Sequence, residues 1–84
     1  MDLRGIFATN LRRARHAKGM SQDELAYEAD ISRGYLSQLE KGAFYASLKI
    51  IGKLADVLDT EPAAFLSLRE RGKVSPKKTA RGSS

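Results

Sequence analysis

Within residues 32–42, SRGYLSQLEKG, the side chains that can hydrogen-bond or carry positive charge gather on one arc. At about 100° per residue, Arg33, Gly34, Ser37, Gln38 and Lys41 share one side of a helix, while Tyr35, Leu36 and Leu39 take the other. The first side holds small, hydroxyl, amide and cationic groups and no carboxylate. Such a surface suits the polyanionic, acceptor-rich edges of base pairs in a major groove, and the second side suits burial.

Each of these residues admits a sharper and a plainer role. Arg33 stands at the amino end of the helix, where its planar fork can bond O6 and N7 of guanine together, or simply be solvated. Gln38, one turn beyond Gly34, can meet adenine, reach a phosphate, or be an ordinary polar position. Ser37 lies between them on the same arc, and Lys41 sits further along, where a phosphate is the natural partner. Glycine inside a helix costs about 1 kcal/mol relative to alanine, so Gly34 answers either to a close approach of DNA or to a place at the helix start. Tyr35 can offer its hydroxyl to a phosphate or pack its ring against the preceding helix.

The elements that position these groups can be traced on both sides. Residues 22–29, QDELAYEA, form a short helix with Ser21 as N-cap and Leu25, Ala26 and Ala29 as its apolar positions; Asp30 and Ile31 make a tight break, and Ser32 is a second N-cap. Two short helices about so brief a turn spell helix-turn-helix. Gln22 opens the first of them, where free N–H groups and the positive end of the helix dipole favour phosphate. Asp23, Glu24, Glu28 and Asp30 exclude the rest of that helix from DNA.

Upstream, residues 3–18 read as a helix with Leu3, Phe7, Leu11 and Ala14 on one stripe, Arg12, Arg13 and His16 opposite, and Gly19 as its stop. Downstream of Gly42, Ser47 caps a helix to about Leu58 that turns Leu48, Ile51, Leu54, Ala55 and Leu58 inward. Thr60 is expected to cap a fifth helix, with Glu61 and Pro62 in its first turn. The expectation is an all-α, five-helix DNA-binding domain over residues 1–71, followed by a basic, flexible tail over 72–84.

The runs LRRAR, GMSQDELA, ISRGYLSQLEKG and LKIIGKLADVL together resemble the lambdoid-repressor-like (Cro-type, Xre) helix-turn-helix family, which includes phage repressors and restriction-modification controller proteins. The resemblance covers about residues 11–66. It implies a compact lambda-repressor-like fold, with Gln22 at the DNA backbone and Ser32, Arg33, Ser37 and Gln38 near bases. It also implies that Arg15 pairs with Glu40, the one acid of the recognition helix, as a structural ion pair. Family members usually double their recognition helix, so a homodimer on a pseudo-palindromic operator is expected, with autoregulation, by repression or activation, the role the resemblance implies. The sequence departs from the family at residues 43–46, where Ala43, Phe44, Tyr45 and Ala46 replace the usual basic residue and proline. Burial is the default for Phe44 and Tyr45; a second subunit or the sugar-phosphate wall are the other options.

Composition narrows the field further. The chain has 84 residues and a net charge of +5. Lys73, Lys77, Lys78 and Arg81, with no acid among them, supply nearly all of that excess, so basic character by itself argues little for nucleic acid. There is no cysteine, which points to a reducing cytoplasm and excludes thiolate chemistry. No apolar run is long enough for a bilayer. One histidine, no glycine-rich phosphate loop on a strand and no carboxylate pair in an apolar pocket leave an enzyme without a reaction, a small-molecule substrate or a cofactor. The lone His16 gives a metal no second ligand. With no separate ligand domain in the sequence, control is expected from abundance or a regulatory protein partner. Ile50, Val57, Leu66 and Leu68 exceed what one small core needs, so either the fifth helix covers them or a two-fold interface does. The alternative to a DNA-binding regulator is a protein-interaction module of the same fold, an antitoxin or anti-regulator.

Overall fold

A computed structural model of the chain describes residues 1–68. It contains α1 (Leu3–Ala17), α2 (Gln22–Ala29), α3 (Arg33–Glu40), α4 (Leu48–Leu58) and a 3₁₀ turn at Pro62–Leu66, with no strand among the described residues. The expected basic tail, 72–84, lies outside them.

The same start and stop chemistry is used four times. Asp2, Ser21, Ser32 and Ser47 each accept, on the side chain, a backbone N–H of the first turn, from Arg4, Glu24, Tyr35 and Ile50 respectively. At α2 this becomes a full capping box, because Glu24 returns the bond to the Ser21 N–H at 2.8 Å. Each α-helix ends on a left-handed residue, Gly19, Asp30, Gly42 or Asp59. The N–H that follows then closes the last turn: Met20 donates to Arg15, Ile31 to Ala26, Ala43 to Gln38 and Thr60 to Ala55. Glycine occupies two of these positions at no steric cost, and aspartate tolerates the other two.

That last bond explains why the fifth segment differs from expectation. The Thr60 backbone is committed to finishing α4, so Glu61 is the N-cap residue, without a side-chain cap bond, and Pro62–Leu66 forms a short 3₁₀ turn instead of a fifth α-helix. The turn serves as an anchor. Phe65 is buried and meets Phe7 edge-on, with ring centroids 5.4 Å apart. Asn10 on α1 donates its amide to the Phe65 and Ser67 carbonyls at 2.8 and 2.9 Å.

Leu11, Leu25, Leu36, Leu39 and Leu54 are wholly excluded from solvent and form the centre of the core, with Phe7, Ala26, Ala29, Ala55, Leu58 and Phe65 around them. Burial of each leucine stabilises the fold by about 2 to 3 kcal/mol. Two positions expected inside are outside: Leu48 is 87% exposed and Leu3 43%, both in first turns that overhang the core's edge. Ile50 and Val57 are half-buried against the core. Helix α3 therefore rests on α1 and α2, and α4 with the 3₁₀ turn closes the opposite side.

Candidate nucleic-acid interface

Helix α3 separates its two faces as its sequence demands. Leu36, Leu39 and Glu40 are buried, whereas Arg33, Gly34, Gln38 and Lys41 are exposed and Ser37 is half-buried. Glu40, the only acid of α3, is therefore withdrawn from the exposed side. Its carboxylate takes both prongs of the Arg15 guanidinium, Nε to Oε2 at 2.7 Å and Nη2 to Oε1 at 2.9 Å, and a third bond from the Gln22 amide at 3.0 Å. Arg15 spends its remaining arm on the Met20 carbonyl, while Arg12 donates to the backbone carbonyl of Glu40. Burial pushes the Glu40 carboxyl up, but the hydrogen bonds from Arg15 and Gln22 and the charges of Arg15 and Arg12 outweigh it and hold it below the ordinary glutamate value. The hydrogen bond to Glu40 raises Arg15 in turn. Bidentate arginine–carboxylate geometry with a further hydrogen bond from an amide is what makes such a pair tolerable inside a protein.

Gln22 is thus not turned wholly outward. It is half-buried and its Nε2 bonds Glu40, which leaves the second amide N–H for another acceptor. The capping box also consumes the N–H groups of Ser21 and Glu24 at this end of α2. Ser32 uses its Oγ to accept the Tyr35 N–H at 3.0 Å, so its hydroxyl proton is what it can offer outward. Gly34 has ordinary helical backbone, and a Cβ added there would meet open space. Nothing inside the fold requires a glycine at this position.

The aromatic residues fall differently from expectation. Tyr35 is half-buried against the core, and its ring also stacks on Phe44, centroids 6.2 Å apart at 27°. Phe44 and Tyr45 remain 48% and 69% exposed instead of buried, because the short 43–46 connection runs along the surface between α3 and α4. Tyr45 is covered on one side by the Arg4 guanidinium, 4.9 Å from its ring centre, and Arg4 is itself held by Asp2. Arg33, at the first position of α3, lies 3.5 Å from Asp23 on α2.

Sequence reasoning did not single out Arg12 or Asn10 as structural. Arg12 lies one turn before Arg15 on the same helix, which is a signal of shared direction. Asn10 carried none, since its partners are backbone carbonyls 55 and 57 residues away.

Two short helices joined by a tight turn, the second exposing no carboxylate of its own, form a helix-turn-helix arrangement. A sequence profile of the helix-turn-helix family matches residues 11–65. The control protein C.BamHI of Bacillus amyloliquefaciens is 35% identical over 78 residues, covering 92% of this chain and 96% of that protein. Among solved structures, the restriction-modification controller protein C.AhdI from Aeromonas hydrophila superposes with a TM-score of 0.71 at 40% identity, covering 74% of this chain and 94% of that one. The hypothetical transcription factor NHTF from Neisseria gives 0.75 at 36% identity, covering 79% and 76%. The chain belongs to the helix-turn-helix family, with restriction-modification controller proteins among its relatives, and is a DNA-binding transcriptional regulator. No helix among the described residues is long and apolar enough to cross a membrane.

Proposed function

We propose that this protein reads a specific double-stranded sequence by laying α3 in the major groove, as a homodimer on a pseudo-palindromic operator, and acts there as a repressor. The observation that carries this reading is the withdrawal of Glu40: the one carboxylate of α3 is buried under Arg15, and the exposed side presents Arg33, Gly34, Ser37, Gln38 and Lys41. Arg33, Ser37 and Gln38 meet base edges, with the Ser32 hydroxyl beside them. Gln22, Tyr35 and Lys41 meet phosphates. The cytoplasm is the site of action, no small-molecule effector or cofactor takes part, and regulation comes from abundance or a protein partner.

What supports the dimer is surplus apolar surface: Leu66 and Leu68 stay 42% and 62% exposed, and Ile50 and Val57 are only half-buried. Sedimentation at tens of micromolar, chosen to exceed about micromolar dissociation constants, is expected to give a two-subunit mass; a monomer there and on DNA refutes it. Half-sites then lie about 10 bp apart, one helical turn. Selection of bound fragments from random duplex DNA tests the whole reading: an enriched, two-fold symmetric sequence is expected.

One observation favours a protein-interaction module instead. Phe44, Tyr45 and Leu48 are apolar and exposed in a single stretch of chain. Recovery of no enriched sequence in the same selection supports that alternative.

A further inference from the structure

Helices α2 and α3 bring one acidic and one basic residue together on the exposed side of the motif. Asp23 is the second residue of α2 and Arg33 the first of α3; Asp23 Oδ1 lies 3.5 Å from Arg33 Nε, with the two side chains 77% and 63% exposed. Its neighbour Glu24 spends its carboxylate on the Ser21 N–H, within its own helix. Asp23 instead faces the arginine at the head of the recognition helix. An ion pair this exposed shifts an equilibrium by no more than about 5-fold, so it does little to hold the two helices together. Its effect falls on what Arg33 meets.

The guanidinium offers one N–H on Nε and four on its two Nη nitrogens. The contact with Asp23 is at Nε, and the Nη edge is the one that can span O6 and N7 of guanine. A guanine edge presents neutral acceptors and can share the guanidinium with a carboxylate. A phosphate brings a full negative charge and would put two anions around one cation, so Asp23 opposes it. Building an unfavourable contact against the wrong partner is a general route to selectivity.

We propose that Asp23 is a positioning and specificity-determining residue for Arg33, steering its guanidinium away from phosphates and toward a base edge. The proposal rests on the reading of α3 as the groove-reading helix. Asp23→Asn keeps the size and helix position of the side chain and removes its charge. Binding is measured to the duplex enriched by selection and to a scrambled duplex, at several salt concentrations, in the parent protein and in an Arg33→Ala background, with thermal stability followed alongside.

With Arg33 present, Asp23→Asn is expected to strengthen binding to the scrambled duplex by up to about 5-fold. The salt dependence steepens by roughly 0.9 log unit as one more phosphate contact forms. The enriched duplex gains less, so preference falls. With Arg33→Ala the effect on the scrambled duplex disappears. An equal gain in both backgrounds would mean that Asp23 merely repels DNA, and an unchanged preference would mean that it does not act on Arg33; either overturns the proposal alone. A parent protein that prefers no duplex overturns the reading of α3 and the proposal with it, and that result is seen before any variant is made.

Discussion

Replacing Arg15 by Met leaves the Glu40 carboxylate, only 3% exposed, with the Gln22 amide as its remaining side-chain donor. Removing one member of a buried ion pair costs about 3 to 5 kcal/mol, because the other charge stays behind without compensation. A domain of this size has a total stability of about 4 to 13 kcal/mol, so the single variant sits close to the edge of folding. At about 4 to 8 °C per kcal/mol, its melting temperature drops by more than about 12 °C. Replacing both residues, Arg15→Met with Glu40→Met, removes the charges together and puts apolar volume where they stood. The double variant is therefore expected to be more stable than Arg15→Met alone, and to fall short of the summed losses by at least about 1.5 kcal/mol. Urea unfolding of the four proteins at neutral pH gives the coupling. The sign of the pH dependence follows from the depressed Glu40 carboxyl: the folded state holds the proton more weakly than the unfolded chain, where the value is about 4.3. The pair therefore stabilises fully above that value, and its contribution is lost as the pH falls through the lower, folded-state value. Glu40→Gln should flatten that acid limb. Losses that add within about 0.5 kcal/mol, or an acid limb unchanged by Glu40→Gln, would refute the assignment of this pair as the fastening of α3.

Other variants separate fold from reading. Gly34→Ala meets no atom inside the fold and should raise the melting temperature by about 2 to 4 °C, from roughly 0.5 kcal/mol of recovered helix propensity, while weakening the selected duplex; unchanged binding would leave the glycine as a helix starter only. Asp30, left-handed at the turn between α2 and α3, is expected to gain up to about 1 kcal/mol on replacement by Gly and to lose more than that on replacement by Val, checked by thermal unfolding. Arg33→Ala should weaken the selected duplex by about 1 to 3 kcal/mol and barely alter a scrambled one, whereas deleting residues 72–84, with their four cations, should weaken both alike and flatten the salt dependence.

The helix starts were legible because serine N-caps act within three residues of chain, and the stops at Gly19 and Gly42 because glycine marks a left-handed position. The fifth segment was misread because Thr60 has two possible uses, as an N-cap or in finishing α4, and only the packed chain shows which one wins. Leu48 carried the right period for burial but sits in a first turn that the core does not reach. Of the site, the sidedness of α3 follows from its own eight residues. The partners of those residues do not: the Tyr35–Phe44 stack, the Arg12 and Gln22 bonds to Glu40 and the Asp23–Arg33 contact depend on how helices cross, which no periodicity encodes. The Arg15–Glu40 pair was accessible only through resemblance to a family.

The burial of Glu40 has a bearing on how such a protein changes over time. Helix α3 is secured from its inner side, by Leu36, Leu39 and one carboxylate that α1 and α2 grip together. Arg33, Gln38 and Lys41 contribute nothing to that grip and are open to solvent. Substitutions among them can alter what the helix recognises with little penalty in stability. A lineage built on this scaffold can therefore drift to new target sequences one residue at a time without first passing through poorly folded intermediates.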